Sequence, residues 1–236
     1  MRAAAVVLSY GRRELGELLT SWMAQSRPVP LLVWLDGCTA AIDCRRDDIA
    51  FYRARRSGGV DTIGGVRRAA VEWTRERFGL GPEDAIVLLD DDDYYSPHHA
   101  ARTLDALEQG ADWTGALRIG VQWRPDQMPP EVMASAGGPG QQAAWAMRLR
   151  VYDLAGGYFE DDRLEDVQLA QRIGWSTCRP HAFLTHVRRQ FGGASSLSSA
   201  GYDRDALRVG ELPRLIAPTW RPELVELERW TLEHEH

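Results

Sequence analysis

The chain has 236 residues, of which 44% are hydrophobic and 26% are charged, and its formal net charge is −6. This balance is typical of a folded globular protein and excludes a disordered chain. The acidic excess argues against a general nucleic-acid coat protein, which needs a basic surface. The sequence has no lysine, so all 28 basic residues are arginine. A lysine Schiff base and a phosphate loop built around a lysine are therefore excluded.

The cysteines and the apolar runs bear on the cellular compartment. Cys38, Cys44 and Cys178 form no C-x-x-C pair, which argues against a zinc knuckle or a thioredoxin-like motif. Scattered thiols are typical of a reducing compartment, so we expect a cytoplasmic protein. The apolar segment 3–8 is short and lacks a cleavage-site pattern, which favours a strand over a signal peptide. No apolar run approaches the roughly 20 residues that span a bilayer.

The first part of the chain alternates apolar runs with segments of helical periodicity. Segments 3–8, 31–35 and 85–89 are predicted to be buried strands, and 14–25 and 64–78 are predicted to be helices. A strand–helix–strand unit implies parallel strands joined by a right-handed crossover. The predicted fold class is therefore α/β, with a mostly parallel sheet flanked by helices.

The remaining elements are less regular. Residues 125–142 are rich in Pro and Gly, and they are predicted to form a mobile loop. The sequence shows no internal repeat and no long linker, which favours a single domain. The other predicted elements are a helix from Pro97 to about Gln109, strand material over 112–123, a strand over 143–147, a helical turn over 151–155, a helix over 164–173, a strand within 177–185 and a helix over 222–232.

Four consecutive aspartates, Asp90 to Asp93, follow the third predicted strand directly. This order places them at the carboxyl edge of a parallel sheet, where open α/β folds bind their ligands. Four adjacent like charges repel one another and favour a bound cation, and hard oxygen ligands select Mg²⁺, Mn²⁺ or Ca²⁺. The alternative interpretation is a solvated acidic turn ahead of the next helix.

A second acidic feature follows a pair of glycines. Gly156 and Gly157 lead to Glu165 and Asp166, which stand at the start of an amphipathic helix. Carboxylates are favourable there because of the helix dipole, so plain helix capping is the alternative to a catalytic role.

Taken together, these segments resemble the family 2 glycosyltransferases, which have the GT-A fold. The matching segments come in the family's order over roughly residues 3–190, and they are AVVLSYGR at 5–12, LVWLDG at 32–37, VLLDDDD at 87–93, AWAMR at 144–148, LAGGYF at 154–159 and EDVQLAQR at 165–172. The resemblance implies one GT-A-like domain over 1–190, with a donor half of about 1–115 and an acceptor half of about 116–190. It leaves a C-terminal extension, 191–236, whose terminal helix is expected to pack on the same domain.

The resemblance implies a metal-dependent, inverting transfer of a sugar from a nucleotide-sugar donor to a hydroxyl acceptor. Mn²⁺ or Mg²⁺ would bridge the donor diphosphate and Asp92, with Asp90, Asp93 and His186 as further candidate ligands. Asp166 is the expected general base, and Glu165 is the alternative. The candidate donor-binding residues are Ser9, Tyr10, Arg12, Asp36, Arg67, Asp90, Arg188 and Arg189.

The sequence does not decide the identity of the donor nucleotide or of the acceptor. Leu35 and the segment 64–68 depart from the family's pattern near the base, so UDP is favoured but GDP and dTDP are possible. The acceptor is a glycan, a small molecule or a modified DNA base, and the seven arginines between Arg45 and Arg68 could hold a polyanion. Trp123 and Trp145 flank the expected acceptor loop, where sugar rings could stack on them. An oligomer through the C-terminal helix is possible.

Two other classes of protein compete with this interpretation. A nucleotidyltransferase or another Asp-rich, metal-dependent phosphate enzyme would use the same carboxylates. A nucleotidyltransferase would also need a Gly-rich basic loop after the first strand, and Gly11, Arg12 and Arg13 match such a loop only weakly. A non-catalytic carbohydrate- or calcium-binding module is the other alternative. Calcium loops spread their ligands over about 12 residues at alternate positions, unlike Asp90 to Asp93.

Overall fold

The computed structural model describes residues 1–38, 41–54, 62–123, 127–134, 142–160, 164–189, 215–219 and 221–235. The strands are β1 (Ala3–Ser9), β2 (Leu31–Asp36), β3 (Ala41–Ile42), β4 (Ile49–Ala54), β5 (Ala85–Asp90), β6 (Tyr94–Tyr95), β7 (Trp113–Thr114), β8 (Arg118–Gln122), β9 (Glu131–Ala134), β10 (Ala146–Arg148), β11 (His186–Arg189) and β12 (Leu215–Ile216). The helices are α1 (Leu15–Met23), α2 (Ile63–Phe78), α3 (His99–Glu108), α4 (Leu149–Leu154), α5 (Glu165–Ile173) and α6 (Pro222–His234), with 3-10 turns at Gln142–Ala144 and Trp175–Thr177.

The central sheet has six strands in the order β4-β2-β1-β5-β10-β7. The first four are parallel, and β10 then pairs antiparallel with both β5 and β7. This arrangement confirms the predicted α/β class with a mostly parallel sheet. Parallel strands bring their carboxyl ends to one edge, and β1, β2 and β5 all end there in polar residues.

Both faces of this sheet are covered by helices. Side chains of successive strand residues point to opposite faces, so each face has its own core cluster. Ala5 and Val7 of β1 pack with α1 and α3 in one core cluster. Ala4 and Val6 pack with α2, α4 and α5 in another. The predicted continuous apolar strands are therefore explained by burial on both sides.

A second sheet, in the order β6-β11-β8-β9, continues from the aspartate segment. Helix α6 packs on it through Leu224, Leu227 and Trp230, which contact Tyr94, Leu184 and Val187. A Cβ on Gly120 would lie 3.0 Å from a ring carbon of Trp230, so a residue without a side chain lets the helix approach the strand. Residues 190–214 lie outside the described ranges, so the division of the chain near residue 190 stays a prediction.

Three local predictions differ from the structure. Strand β4 lies in the arginine-rich segment, and its half-buried position at the sheet edge weakens the apolar pattern. Strand β9 lies in the segment predicted as a loop; all four of its residues are exposed, and it pairs with β8 through the backbone. The strand expected within 177–185 begins instead at His186, where β11 pairs with β6 and β8. Of the predicted loop, residues 125–126 and 135–141 fall outside the described residues, as do Arg55 and Arg56 of the arginine-rich segment.

Among the residues that the structure describes, no helix combines the length and the apolar character needed to cross a membrane.

Candidate active site

The aspartate segment turns at the carboxyl end of β5, and its side chains alternate between solvent and interior. The side chains of Asp90 and Asp92 are 37% and 32% exposed, whereas those of Asp91 and Asp93 are 8% and 3% exposed. The two partly exposed carboxylates therefore have the spacing Asp-x-Asp, and the other two belong to the interior.

The interior pair anchors the segment to its surroundings. Asp91 accepts a hydrogen bond from Ser9 Oγ at 2.6 Å, which ties β5 to the end of β1. Asp93 Oδ2 lies 2.7 Å from His186 Nε2, and its Oδ1 accepts the backbone N–H of Arg189 at 3.0 Å. The two buried carboxylates thus hold the turn from both sides.

Each exposed carboxylate faces a guanidinium. Arg12 donates to Asp92 at 2.5 Å, and Arg67 Nη2 lies 3.5 Å from Asp90 Oδ1. Burial and the neighbouring carboxylates Asp93 and Asp91 raise the pKa of Asp92 well above its usual range. Burial also raises the pKa of Asp90, and Arg67 opposes that rise. The site concentrates negative charge that a further cation would stabilise.

Arg67 also reaches the second acidic motif. Its Nε lies 3.3 Å from Glu165 Oε1, so one guanidinium connects the end of β5 with the start of α5. The contact depends on a close approach of α2, because a Cβ on Gly64 would lie 1.7 Å from the Phe159 carbonyl oxygen and 2.9 Å from the Glu165 Cβ. The absence of a side chain at Gly64 therefore lets α2 approach α5 closely enough for Arg67 to reach Glu165.

The two candidate bases have different surroundings. Glu165 is buried and paired with Arg67, and burial raises its pKa. Asp166 is half-buried in the first turn of α5, and its Oδ1 accepts the Val167 backbone N–H at 2.7 Å. The Asp166 carboxylate is therefore partly accessible, whereas the neighbouring Glu165 carboxylate is paired with Arg67.

The remaining donor-binding candidates lie along the same edge. Asp36 ends β2 one position beyond Leu35, the register partner of Ser9, and Tyr10 follows β1 directly. Arg188, on β11, acts electrostatically on Asp90. The tertiary structure therefore brings most of the predicted donor-side residues to one edge of the sheet.

Arg189 is different, because its side chain turns inward. Its Nε donates to the backbone carbonyl of Asp92 at 2.7 Å, and its Nη1 pairs with Glu17. Only 6% of the side chain is exposed. This geometry corrects the sequence-based assignment of Arg189 as a phosphate-binding residue.

The acidic and histidine side chains at this edge limit how a divalent ion could bind. Within the described residues, no group of three or more His, Cys, Asp or Glu side chains is arranged to hold a metal. The side chains of Asp93 and His186 are buried against each other, at 3% and 0% exposure, which does not fit their assignment as ligands of an ion that enters from solvent. Asp90 and Asp92 remain, and Mg²⁺ is commonly held by one or two carboxylates together with substrate phosphates. Asp90 and Asp92 could therefore hold such an ion only if substrate phosphates completed its shell.

The two tryptophans expected near the acceptor differ in exposure. Trp145 is fully buried and packs edge-to-face against Trp113 at 5.4 Å, so it belongs to the core and cannot stack on a sugar. Trp123 is 42% exposed, and its Nε1 donates to Glu131 at 3.0 Å. It follows β8, whose Gln122 is the register partner of Arg189.

Two features of the site have no clear signal in the sequence. Glu17, in the first turn of α1, reaches Arg189 because the fold brings α1 beside β11. A small, partly open pocket also lies between α2 and the sheet. Its lining is mainly apolar and includes Arg67, Gln142, Tyr158, Val6, Leu8 and Leu88.

Comparison with known proteins supports the fold. No protein-family model and no curated protein matches the sequence. Among solved structures, the chain is similar to S. aureus TarS 1–349 in complex with UDP-GlcNAc, with a TM-score of 0.55 and 15% identity over 82% of this chain and 60% of that chain. The fold is GT-A-like. The complex of TarS 1–349 with UDP gives a TM-score of 0.53 and 14% identity, over 80% of this chain and 60% of that chain.

The chain therefore spans about 60% of the TarS 1–349 chains that it matches. A 4-diphosphocytidyl-2C-methyl-D-erythritol synthase is similar over 87% of this chain and 95% of its own, at 14% identity. Its TM-score of 0.48 is too low to support a conclusion.

Proposed function

We propose that this protein is a transferase that moves a sugar from a nucleotide-sugar donor to an acceptor hydroxyl. The observation that carries the proposal is the alternation of the aspartate segment, which leaves the side chains of Asp90 and Asp92 partly exposed at the carboxyl edge of a GT-A-like sheet. Support comes from the similarity of the fold to that of TarS, which holds UDP-GlcNAc in its solved structure.

The donor side follows from the charges at this edge. Asp90 and Asp92 would hold a divalent ion, Mn²⁺ or Mg²⁺, and such an ion neutralises charge that develops on the leaving diphosphate. Arg12 and Arg188 stand beside the same carboxylates, and guanidinium groups suit phosphate oxygens. Tyr10 and Asp36 are proposed to contact the nucleoside, with UDP favoured, whereas Ser9 is buried and its hydroxyl already donates to Asp91.

The acceptor side is assigned to the start of α5. We assign Asp166 as the general base because the Glu165 carboxylate is already engaged by Arg67. The acceptor oxygen attacks the anomeric carbon, its proton passes to the Asp166 carboxylate, and the bond from that carbon to the diphosphate breaks. Attack from the face opposite the leaving group inverts the anomeric centre.

The exposed indole of Trp123 suggests how an acceptor is oriented. A pyranose ring could lie against the indole, and Glu131 could accept hydrogen bonds from its hydroxyls. This favours a glycan or another sugar-bearing acceptor among the three acceptor classes.

A panel of nucleotide sugars with Mn²⁺, scored by thermal shift, tests the proposal, because a ligand that binds only the folded state raises the melting temperature. We expect a UDP-sugar to stabilise wild type and Asp92→Asn to lose that effect. Asp48→Asn is the matched control, since Asp48 pairs with Arg46 at the surface.

Product analysis then separates the competing classes. Release of UDP, with the sugar on an acceptor or on water, supports transfer. Release of pyrophosphate from a nucleoside triphosphate would instead support a nucleotidyltransferase. If no nucleotide sugar shifts the melting temperature, the proposed function is wrong.

A further inference from the structure

The aspartate turn, Asp90 to Asp93, is anchored by a buried network of ion pairs that reaches the C-terminal helix. Arg189 lies at the end of β11, and its side chain is paired with Glu17 of α1. Glu17 is itself 6% exposed, and its other oxygen forms an ion pair with Arg221 Nη1 at 3.0 Å. Arg221 is the N-cap residue of α6. One buried carboxylate therefore joins α1, β11 and α6.

Arg189 contacts the aspartate turn at two separate points. Its backbone N–H donates to the Asp93 carboxylate at 3.0 Å, and its side-chain Nε donates to the Asp92 carbonyl at 2.7 Å. The second contact fixes the backbone of Asp92, whose side chain is partly exposed. Arg221 shares Glu17 with Arg189, but it has no hydrogen bond or ion pair to the aspartate turn among those the structure describes.

We infer that Arg189 is a positioning residue, which sets the place of Asp92 through its backbone and is itself held by Glu17. A guanidinium can do this because its planar fork donates in two directions at once, toward the Asp92 carbonyl and toward Glu17. The assignment of Asp92 to the donor rests on the proposed function, whereas the anchoring of the turn does not.

Backbone hydrogen exchange over residues 88–96 tests the inference without any ligand. We expect Arg189→Met to speed exchange there by about tenfold or more, since hydrogen bonds that involve a charged group are the stronger ones. The matched control is Arg221→Met, which removes the other partner of Glu17. It should lower the melting temperature and leave exchange over 88–96 unchanged.

A conservative variant separates charge from geometry. Arg189→Lys keeps a positive charge for Glu17 but cannot reach both partners with one ammonium group. It should recover part of the melting temperature, while residues 88–96 still exchange faster than in wild type. Should Arg189→Met fail to fold, Arg189→Lys carries the test.

Two outcomes would overturn the inference: unchanged exchange over 88–96 in both Arg189 variants, or an equal increase in Arg221→Met. Calorimetry with UDP and Mn²⁺ then separates the inference from the proposed function. We expect the Arg189 variants to bind more weakly and Arg221→Met to bind as wild type does. If the exchange pattern is as expected but wild type binds no nucleotide, the positioning role stands and the proposed function fails.

Discussion

Arg67 Nε lies 3.3 Å from Glu165 Oε1, so the acidic residue that precedes the proposed base is already paired. The same guanidinium faces Asp90, and it therefore connects the proposed donor side of the site to the proposed acceptor side. Adjacent carboxylates at the start of a helix look alike in a sequence. Here the ion pair with Arg67 holds the buried Glu165 carboxylate, and Asp166 is left as the more accessible carboxylate.

The first prediction concerns these two residues. Asp166→Asn keeps the size of the side chain and removes its basicity, so turnover should fall by roughly 10²–10⁴-fold with donor affinity nearly unchanged. Glu165→Gln weakens the hold on Arg67, so it should lower stability and donor affinity together. Steady-state kinetics and calorimetry on both variants provide the measurement. Full turnover in Asp166→Asn with loss in Glu165→Gln would reverse the assignment.

The second prediction separates exposed from buried aspartates. Asp92→Asn should lose most of the Mn²⁺ dependence of nucleotide binding and keep the fold, because its side chain is partly exposed. Asp93→Ala should instead reduce the free energy of unfolding by about 1–3 kcal/mol, since it leaves His186 and the Arg189 N–H without their acceptor. Denaturant unfolding and calorimetry measure the two effects. Equal behaviour of the two variants would contradict the alternation.

The third prediction concerns the close approach of α2. Gly64→Ala places a Cβ 1.7 Å from the Phe159 carbonyl oxygen, so the helix must shift. We expect a loss of about 1–3 kcal/mol in the free energy of unfolding, and weaker donor binding because Arg67 moves with the helix. Gly81→Ala is the control, since its Cβ would meet its nearest atom at 3.8 Å, and it should change stability by less than about 0.5 kcal/mol.

The fourth prediction is a pH dependence of stability. Burial lowers the pKa of His181 to about 4, whereas an unfolded histidine titrates near ~6.5. Below pH ~6.5 the unfolded chain binds a proton that the folded protein does not, so stability falls as the pH drops toward about 4. His181→Phe should flatten this part of the curve of unfolding free energy against pH. The same substitution at half-buried His98 is the control. An unchanged slope in His181→Phe would show that other groups cause it.

The sequence determined much of the fold because the relevant signals are local. Apolar runs such as 85–89 and helical periodicity such as 64–78 predicted β5 and α2 closely, since burial on both faces of a sheet demands continuous apolar residues. The half-buried β4 and the exposed β9 escaped prediction for the opposite reason. Backbone pairing with a neighbour defines each of them, and their side chains carry little pattern.

The aspartate cluster was also evident in the sequence, but the sequence did not show which of its side chains are buried and which are exposed. Four identical side chains carry no information about which of them point inward, and only Ser9, His186 and Arg189 decide that by supplying buried partners. The pair of Arg189 with Glu17 joins residues 172 positions apart. Such contacts depend on how sheets and helices pack. Only the tertiary structure therefore shows that Arg189, which the sequence suggested as a phosphate ligand, anchors the turn.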